Sequence, residues 1–151
     1  MVTPVIRPVE RGDLTDLCAM IHALAAHHGD RAQADAATLE RDLLGDRPWL
    51  SGLVADAAGR LQGYAILCPR AQVHLGLRGA DLHHLYVAEA ARGQGLGRRL
   101  TMGAADLARD QGCRFLVVSA EADNVAAHAF YRRAGFEPAE TGARLFRMRL
   151  T

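Results

Sequence analysis

No part of the chain constrains its fold more than the stretch from Asp81 to Arg98, D-L-H-H-L-Y-V-A-E-A-A-R-G-Q-G-L-G-R. A strand pattern runs there through a glycine-rich turn into a helix. The strand half alternates, with Leu82, His84 and Tyr86 on one face and Asp81, His83, Leu85 and Val87 on the other. Gly93, Gly95 and Gly97 follow at alternate positions; lacking a Cβ, they let a ligand come close to the main chain and accept positive φ. From about Leu96 the spacing of Leu96, Leu100, Gly103, Ala104, Leu107 and Ala108 is helical. The turn therefore ends at a helix N-terminus, where unpaired N–H groups and the dipole favour a phosphate or diphosphate. Arg92, Arg98 and Arg99 add positive charge.

Three glycine-rich patterns compete for this turn. A Walker loop needs G-x-x-x-x-G-K-S/T, and neither its Lys nor its hydroxyl is present. A dinucleotide fingerprint needs G-x-G-x-x-G in an early βαβ unit, whereas the last glycine spacing here is wrong and some eighty residues precede the strand. The third pattern, R/Q-x-x-G-x-G/A, is matched by Arg92, Gly95 and Gly97. A second block, Asn124 to Phe136, reads N-x-x-A-x-x-x-Y-x-x-x-G-F and follows the apolar run Phe115 to Ser119. With both blocks in place the chain resembles the GNAT superfamily of acetyl-CoA-dependent N-acetyltransferases. The resemblance implies one domain over residues 1–151 with a mixed α/β fold. Its central sheet would have six to seven strands and helices on both faces. Strands four and five would splay apart to admit acetyl-CoA.

The flanking elements fit that order. Val5 to Pro8 reads as a first strand, and Asp13 as the N-cap of a helix with Leu14, Leu17, Cys18, Ile21, Leu24 and Ala25 inward. A second helix is expected after Thr38. Trp49 to Asp56 and Leu61 to Cys68 are β-rich runs around a hairpin turn at Ala57 to Arg60. Ala71 to Ala80 reads as a loop and Asp81 to Ala88 as the fourth strand. Phe115 to Ser119 is a central fifth strand, and Asn124 to Ala134 a helix that Asn124 caps and Gly135 closes. Phe136 to Pro138 and Leu145 to Leu150 are expected as sixth and seventh strands.

A net charge of +1 argues against general affinity for nucleic acid or membrane surfaces. The N-terminus lacks the apolar core of a signal peptide, so a cytoplasmic protein is expected. Cys18, Cys68 and Cys113 are far apart, without C-x-x-C spacing, so neither a disulfide framework nor a metal site is expected.

Acetyl transfer to an amine needs a base for the ammonium, a donor for the thioester carbonyl and a proton for the departing thiolate. The resemblance assigns the carbonyl to the backbone N–H of Val87 or a neighbour, and the proton to Tyr131. His83 is the candidate base, with Asp81 on its face to orient it; His84, on the opposite face, reads as structural. The cofactor contacts implied are Leu85, Tyr86 and Val87 on the strand, Arg92, Gly93, Gln94, Gly95, Leu96, Gly97 and Arg98 in the turn, and Asn124, Ala127 and Phe130 on the later helix. Residues from His22 to Asp42 should choose the acceptor. Thr38 to Leu44 and the C-terminal A-R-L-F-R-M-R-L loosely resemble the diamine or polyamine branch, which carries acids on the fourth strand where His83 and His84 stand here. A polyamine, an amino acid and an aminoglycoside all stay open as acceptors, by direct attack in a ternary complex. The alternatives are a peptide or protein amine as acceptor, or a silent CoA-binding sensory module. By analogy, a homodimer is expected with Arg144 to Leu150 near its interface.

Overall fold

The computed structural model describes residues 2–139 and 143–150. Five strands form one sheet in the order β1-β2-β3-β4-β5: Val5–Pro8, Ser51–Ala57, Arg60–Gln72, Leu77–Val87 and Cys113–Val117. The first four pair antiparallel, and β5 joins β4 in parallel after the crossover helix α3 (Leu96–Asp110). Helices α1 (Leu14–His27) and α2 (Ala36–Leu44) cover one face, where Leu17, Ile21, Leu39 and Leu43 bury against Val54, Tyr64 and Ile66. Helix α3 covers the other. It sits close because the sheet and helix offer glycines to each other. A methyl on Gly63 would lie 3.0 Å from Leu100 Cδ1, and one on Gly103 would lie 3.1 Å from Ile6 Cγ2. The close seat aims the α3 N-terminus past the end of β4.

The chain forms two compact units, Met1–Ser119, which holds the sheet and α1 to α3, and Ala120–Thr151. The second unit holds α4 (Val125–Arg133), whose N-cap Asn124 accepts from the Ala127 N–H at 3.1 Å. Among the described residues the sheet has five strands rather than six or seven. Neither Phe136–Pro138 nor Leu145–Leu150 forms one. Leu145, Phe146, Met148 and Leu150 alternate as a strand would but stand exposed. Alternation marks a half-buried strand only where a neighbouring strand supplies its ladder. No helix among the described residues is long and apolar enough to cross a membrane.

Among the described residues β5 lies at the edge of the sheet, two residues earlier than the central strand expected over Phe115 to Ser119, and other boundaries differ as well. Residues 71–80 are the far end of a long β3–β4 hairpin, paired from Gln72↔Leu77 to Cys68↔Asp81, with Gly76 at φ 65° closing a short 3-10 turn. That end is mostly exposed, so no apolar alternation announces it. Helix α2 starts at Ala36, two residues before Thr38, because Asp35 caps it. The Asp35 carboxylate accepts from the Thr38 N–H at 2.8 Å, and the Thr38 hydroxyl receives the Asp35 N–H at 3.1 Å. The bond from Thr38 N–H holds the exposed Asp35 carboxyl below its ordinary pKa.

The β2–β3 turn confirms the hairpin signal and adds a strained residue. Gly59 has φ 89°, and Ala58 is the sole described non-glycine residue at positive φ, 53°. A two-residue turn of this hand needs positive φ at both positions, which Asn accepts and Ala does not. Ala58→Asn is therefore expected to stabilise the chain by about 0.5–1 kcal/mol, read as a rise in the urea midpoint. An unchanged or lowered midpoint would count against strain at this site.

Candidate active site

The first half of the site is made of main chain. Gly93 and Gly95 take φ 77° and 79°, and a Cβ on either would meet nothing within 4 Å. Their positive φ turns successive N–H groups outward. The N–H groups of Gly93, Gln94, Gly95, Leu96, Gly97 and Arg98 have no acceptor among the described residues, whereas the amides on either side do: Arg92 N–H donates to Glu89 at 3.2 Å and Arg99 N–H to Gly95 at 3.1 Å. Six consecutive free donors thus meet at the start of α3, which has no side-chain cap and no acid in its first turn. Arg98 is exposed beside them, while Arg99 is turned aside to the Pro4 carbonyl at 2.7 Å.

The second half is a gap at the sheet edge. The β4–β5 ladder begins at Arg78↔Cys113 and ends at Asp81↔Val117, so among the described residues no strand pairs with residues 82–87 of β4 on that side. The Phe115 ring packs directly over Gly79, where any side chain would overlap it. This seats β5 on the early part of β4 alone. Ala88 N–H donates to Gln62 at 2.9 Å. In an antiparallel ladder the bonding residues alternate, so Tyr86 also faces β3 while Leu85 and Val87 turn their N–H and C=O groups toward the gap. The Arg92 Nε accepts no such role itself; it donates to the Val87 carbonyl at 2.9 Å and lies 5.8 Å from the Tyr86 ring centre. The loop is thereby tied to the strand end, and the Val87 N–H is left facing the gap.

The strand histidines differ from the simple alternation. Ile66 pairs with His84 and Leu67 with Leu82, which leaves His83 as the extra residue of a β-bulge. The bulge resets the parity. Leu82, Leu85 and Val87 look toward α3, while His84 and Tyr86 look toward α1 and α2 beside Tyr64. His84 is therefore not opposite His83: their rings stack with centres 4.8 Å apart and planes 10° from parallel. His83 is exposed and His84 half-buried. Asp81 sits at the last rung of the β5 ladder and makes no hydrogen bond or ion pair with His83. Burial, with opposition from His83 and His28, holds the His84 imidazole below its ordinary pKa. Its Nδ1 lies 3.1 Å from the Tyr64 hydroxyl. Neither Tyr64 nor the pairing of the histidines was legible, because this bulge carries no glycine to announce it. Among the described residues no three His, Cys, Asp or Glu side chains come together as a metal set.

In the second unit, Tyr131 lies on α4 between Phe130 and Phe136, with ring centres 5.3 and 5.6 Å away. Its hydroxyl has no partner among the described residues, and burial raises its pKa, so it keeps its proton at neutral pH. Asn124 spends its side-chain oxygen on the helix cap, as expected, and Ala127 supplies the capped N–H.

Comparison with known proteins places this geometry. A mycothiol acetyltransferase of Pseudarthrobacter chlorophenolicus is 33% identical over 138 residues, covering 87% of this chain and 42% of the relative. This chain thus spans less than half that relative's length. A thialysine N-epsilon-acetyltransferase of Sus scrofa is 30% identical over 128 residues, covering 75% of this chain and 72% of the relative. The crystal structure of an aminoglycoside acetyltransferase from an uncultured soil metagenomic sample superposes with a TM-score of 0.80 at 18% identity, over 97% of this chain and 96% of that one, a likeness of fold. The model of the acetyltransferase (GNAT) family matches residues 18–136, and the chain belongs to that family.

Proposed function

We propose that the chain is an N-acetyltransferase that moves the acetyl group of acetyl-CoA to a primary amine of a small molecule, by direct attack in a ternary complex. The observation that carries this is the run of six unpaired amides at the start of α3, set directly after an unpaired strand end. The donor set suits a diphosphate, since it offers only hydrogen-bond donors and a helix N-terminus. Acetyl-CoA supplies an activated acyl thioester. In this proposal the amides of residues 93–98 hold its diphosphate, with Arg92 and Arg98 as nearby cations. The edge groups of Leu85 and Val87 bond the pantetheine arm, with Tyr86, Asn124, Ala127 and Phe130 as further contacts. The Val87 N–H receives the charge that gathers on the thioester oxygen.

His83 takes a proton from the substrate ammonium, directly or through water positioned by Asp81, and frees the nitrogen lone pair for attack on the acyl carbon. The Tyr131 phenol gives its proton to the departing thiolate. Residues 1–151 act as one catalytic domain, supported by a family match that runs across the boundary at Ser119. The names of the relatives, one for mycothiol and one for the ε-amine of thialysine, favour a small-molecule amine. A cytoplasmic location belongs to the same proposal. So does a homodimer joined through residues 144–150, where apolar side chains stand exposed. A monomer mass by light scattering would remove the dimer.

The deciding experiment is a thiol-release screen with acetyl-CoA over polyamines, amino acids, aminoglycosides and peptide N-termini. Release with a small amine supports the proposal; release with peptides alone moves the acceptor to proteins. CoA binding without release from any amine would make the chain a binding module instead. Gly95→Val tests the cradle separately. A β-branched residue at φ 79° is strained, and relieving that strain would turn the neighbouring amides from their present directions. Calorimetry should show CoA affinity falling by about tenfold or more with the fold retained by circular dichroism. Unchanged affinity would move the diphosphate elsewhere.

A further inference from the structure

The side-chain bond between Tyr64 and His84 has no part in the chemistry above. Tyr64 is fully buried at 0% exposure, and Nδ1 of His84 is its hydroxyl's one partner among the described residues. A phenol with a single partner must give that partner its hydrogen. Were the ring to donate instead, the O–H would be left in the core with no acceptor. Nδ1 is thus the acceptor, and the proton of the neutral imidazole sits on Nε2. A second proton would break this arrangement, since Nδ1–H would then face the phenol and orphan its hydrogen.

The surroundings oppose that second proton as well. Tyr64 on β3, itself packed against Tyr86 on β4, lies beside the ring, His83 stacks on it, and His28 approaches from the end of α1. No carboxylate pairs with it among the described residues. Among the described residues Nε2 has no partner, and the ring is half-buried at the place where β4 meets the end of α1.

We infer that Tyr64 is a positioning residue that locks His84 as a neutral Nε2–H donor, and that His84 gives this hydrogen to an accepting atom of the amine substrate. The second part rests on the acetyltransferase proposal. The substrate class that follows is a primary amine bearing a carboxylate, carbonyl or hydroxyl, rather than a plain polycation. A plain polycation offers no accepting atom to the Nε2–H.

Nitrogen-15 NMR of histidine-labelled protein tests the lock without any turnover. His84 should appear as a single Nε2–H tautomer and protonate below the ordinary histidine range. In Tyr64→Phe the same ring should become a mixture of tautomers and protonate at higher pH. An Nδ1–H tautomer in the native protein, or a titration unmoved in the variant, overturns the lock. The native spectrum alone decides should the variant fail to fold. The substrate part is tested by comparing an alkylamine with a hydroxy- or carboxy-amine of equal length. His84→Ala should raise KM for the second about fivefold or more relative to its effect on the first. An equal change for both overturns this part. If neither amine reacts with the native protein, the substrate part falls together with the proposed activity, and the tautomer stands or falls on the spectra.

Discussion

Tyr131→Phe is expected to lower kcat by about 10²- to 10⁴-fold, the range over which a positioned general acid contributes, with KM for acetyl-CoA little changed. The phenol has no hydrogen-bond partner among the described residues, and burial raises its pKa, so at neutral pH it carries a proton that it can give away. Phenylalanine keeps the ring between Phe130 and Phe136. The substitution therefore removes the O–H and leaves the packing of α4 in place. Steady-state kinetics with a reactive amine, together with a melting curve, separate the two effects. A variant as stable as the native protein that retains kcat within about threefold would show that water protonates the thiolate.

Arg7→Ala is expected to destabilise the fold by about 2–4 kcal/mol while leaving kcat unaltered in the protein that stays folded. The Arg7 guanidinium grips Asp13 with two bonds of 2.7 and 2.9 Å and Asp56 with bonds of 3.1 and 3.0 Å, joining β1, the start of α1 and the β2–β3 turn. The Asp13 side chain is only 9% exposed, so losing its cation strands a charge that water hardly reaches. Arg7 partners hold the Asp13 carboxyl below its ordinary value of 3.8, against the opposing effect of burial and with help from the Glu10 N–H. A carboxyl depressed in the folded state stabilises fully above its unfolded pKa, and that stabilisation is lost as pH falls through the folded value. Urea unfolding should thus show a constant gap between native protein and variant above about pH 5, narrowing as the pH is taken below 4. A gap that stays constant down to pH 2 would mean that Asp13 is not the group responsible.

The parts of this fold that could be foreseen are those whose physics lies within a few neighbouring residues. Gly93 and Gly95 announced a backbone at positive φ, Gly59 a tight hairpin, and Asn124 a helix cap, because each conformation selects its residue type locally. The far end of the β3–β4 hairpin was missed because strands projecting into solvent need no apolar face. The C-terminal alternation was over-read because pairing depends on a neighbour that no local pattern encodes. At His83 the failure is of a third kind. A one-residue bulge depends on how β3 and β4 are phased across the turn, and two adjacent histidines look the same with or without it. The consequence reached the site itself, where a residue expected to be structural stands stacked on the candidate base.

The cluster of bare amides at the head of α3 also governs how this protein tolerates change. Every residue but proline carries the same peptide N–H, so exchanging the exposed Gln94 for another such side chain leaves the same donors in place as long as the main chain keeps its path. Scanning that segment with alanine would accordingly miss most of what it does. Evolution can redraw the side chains of such a loop widely, and inactivation by point mutation is concentrated at the few glycines that set its course.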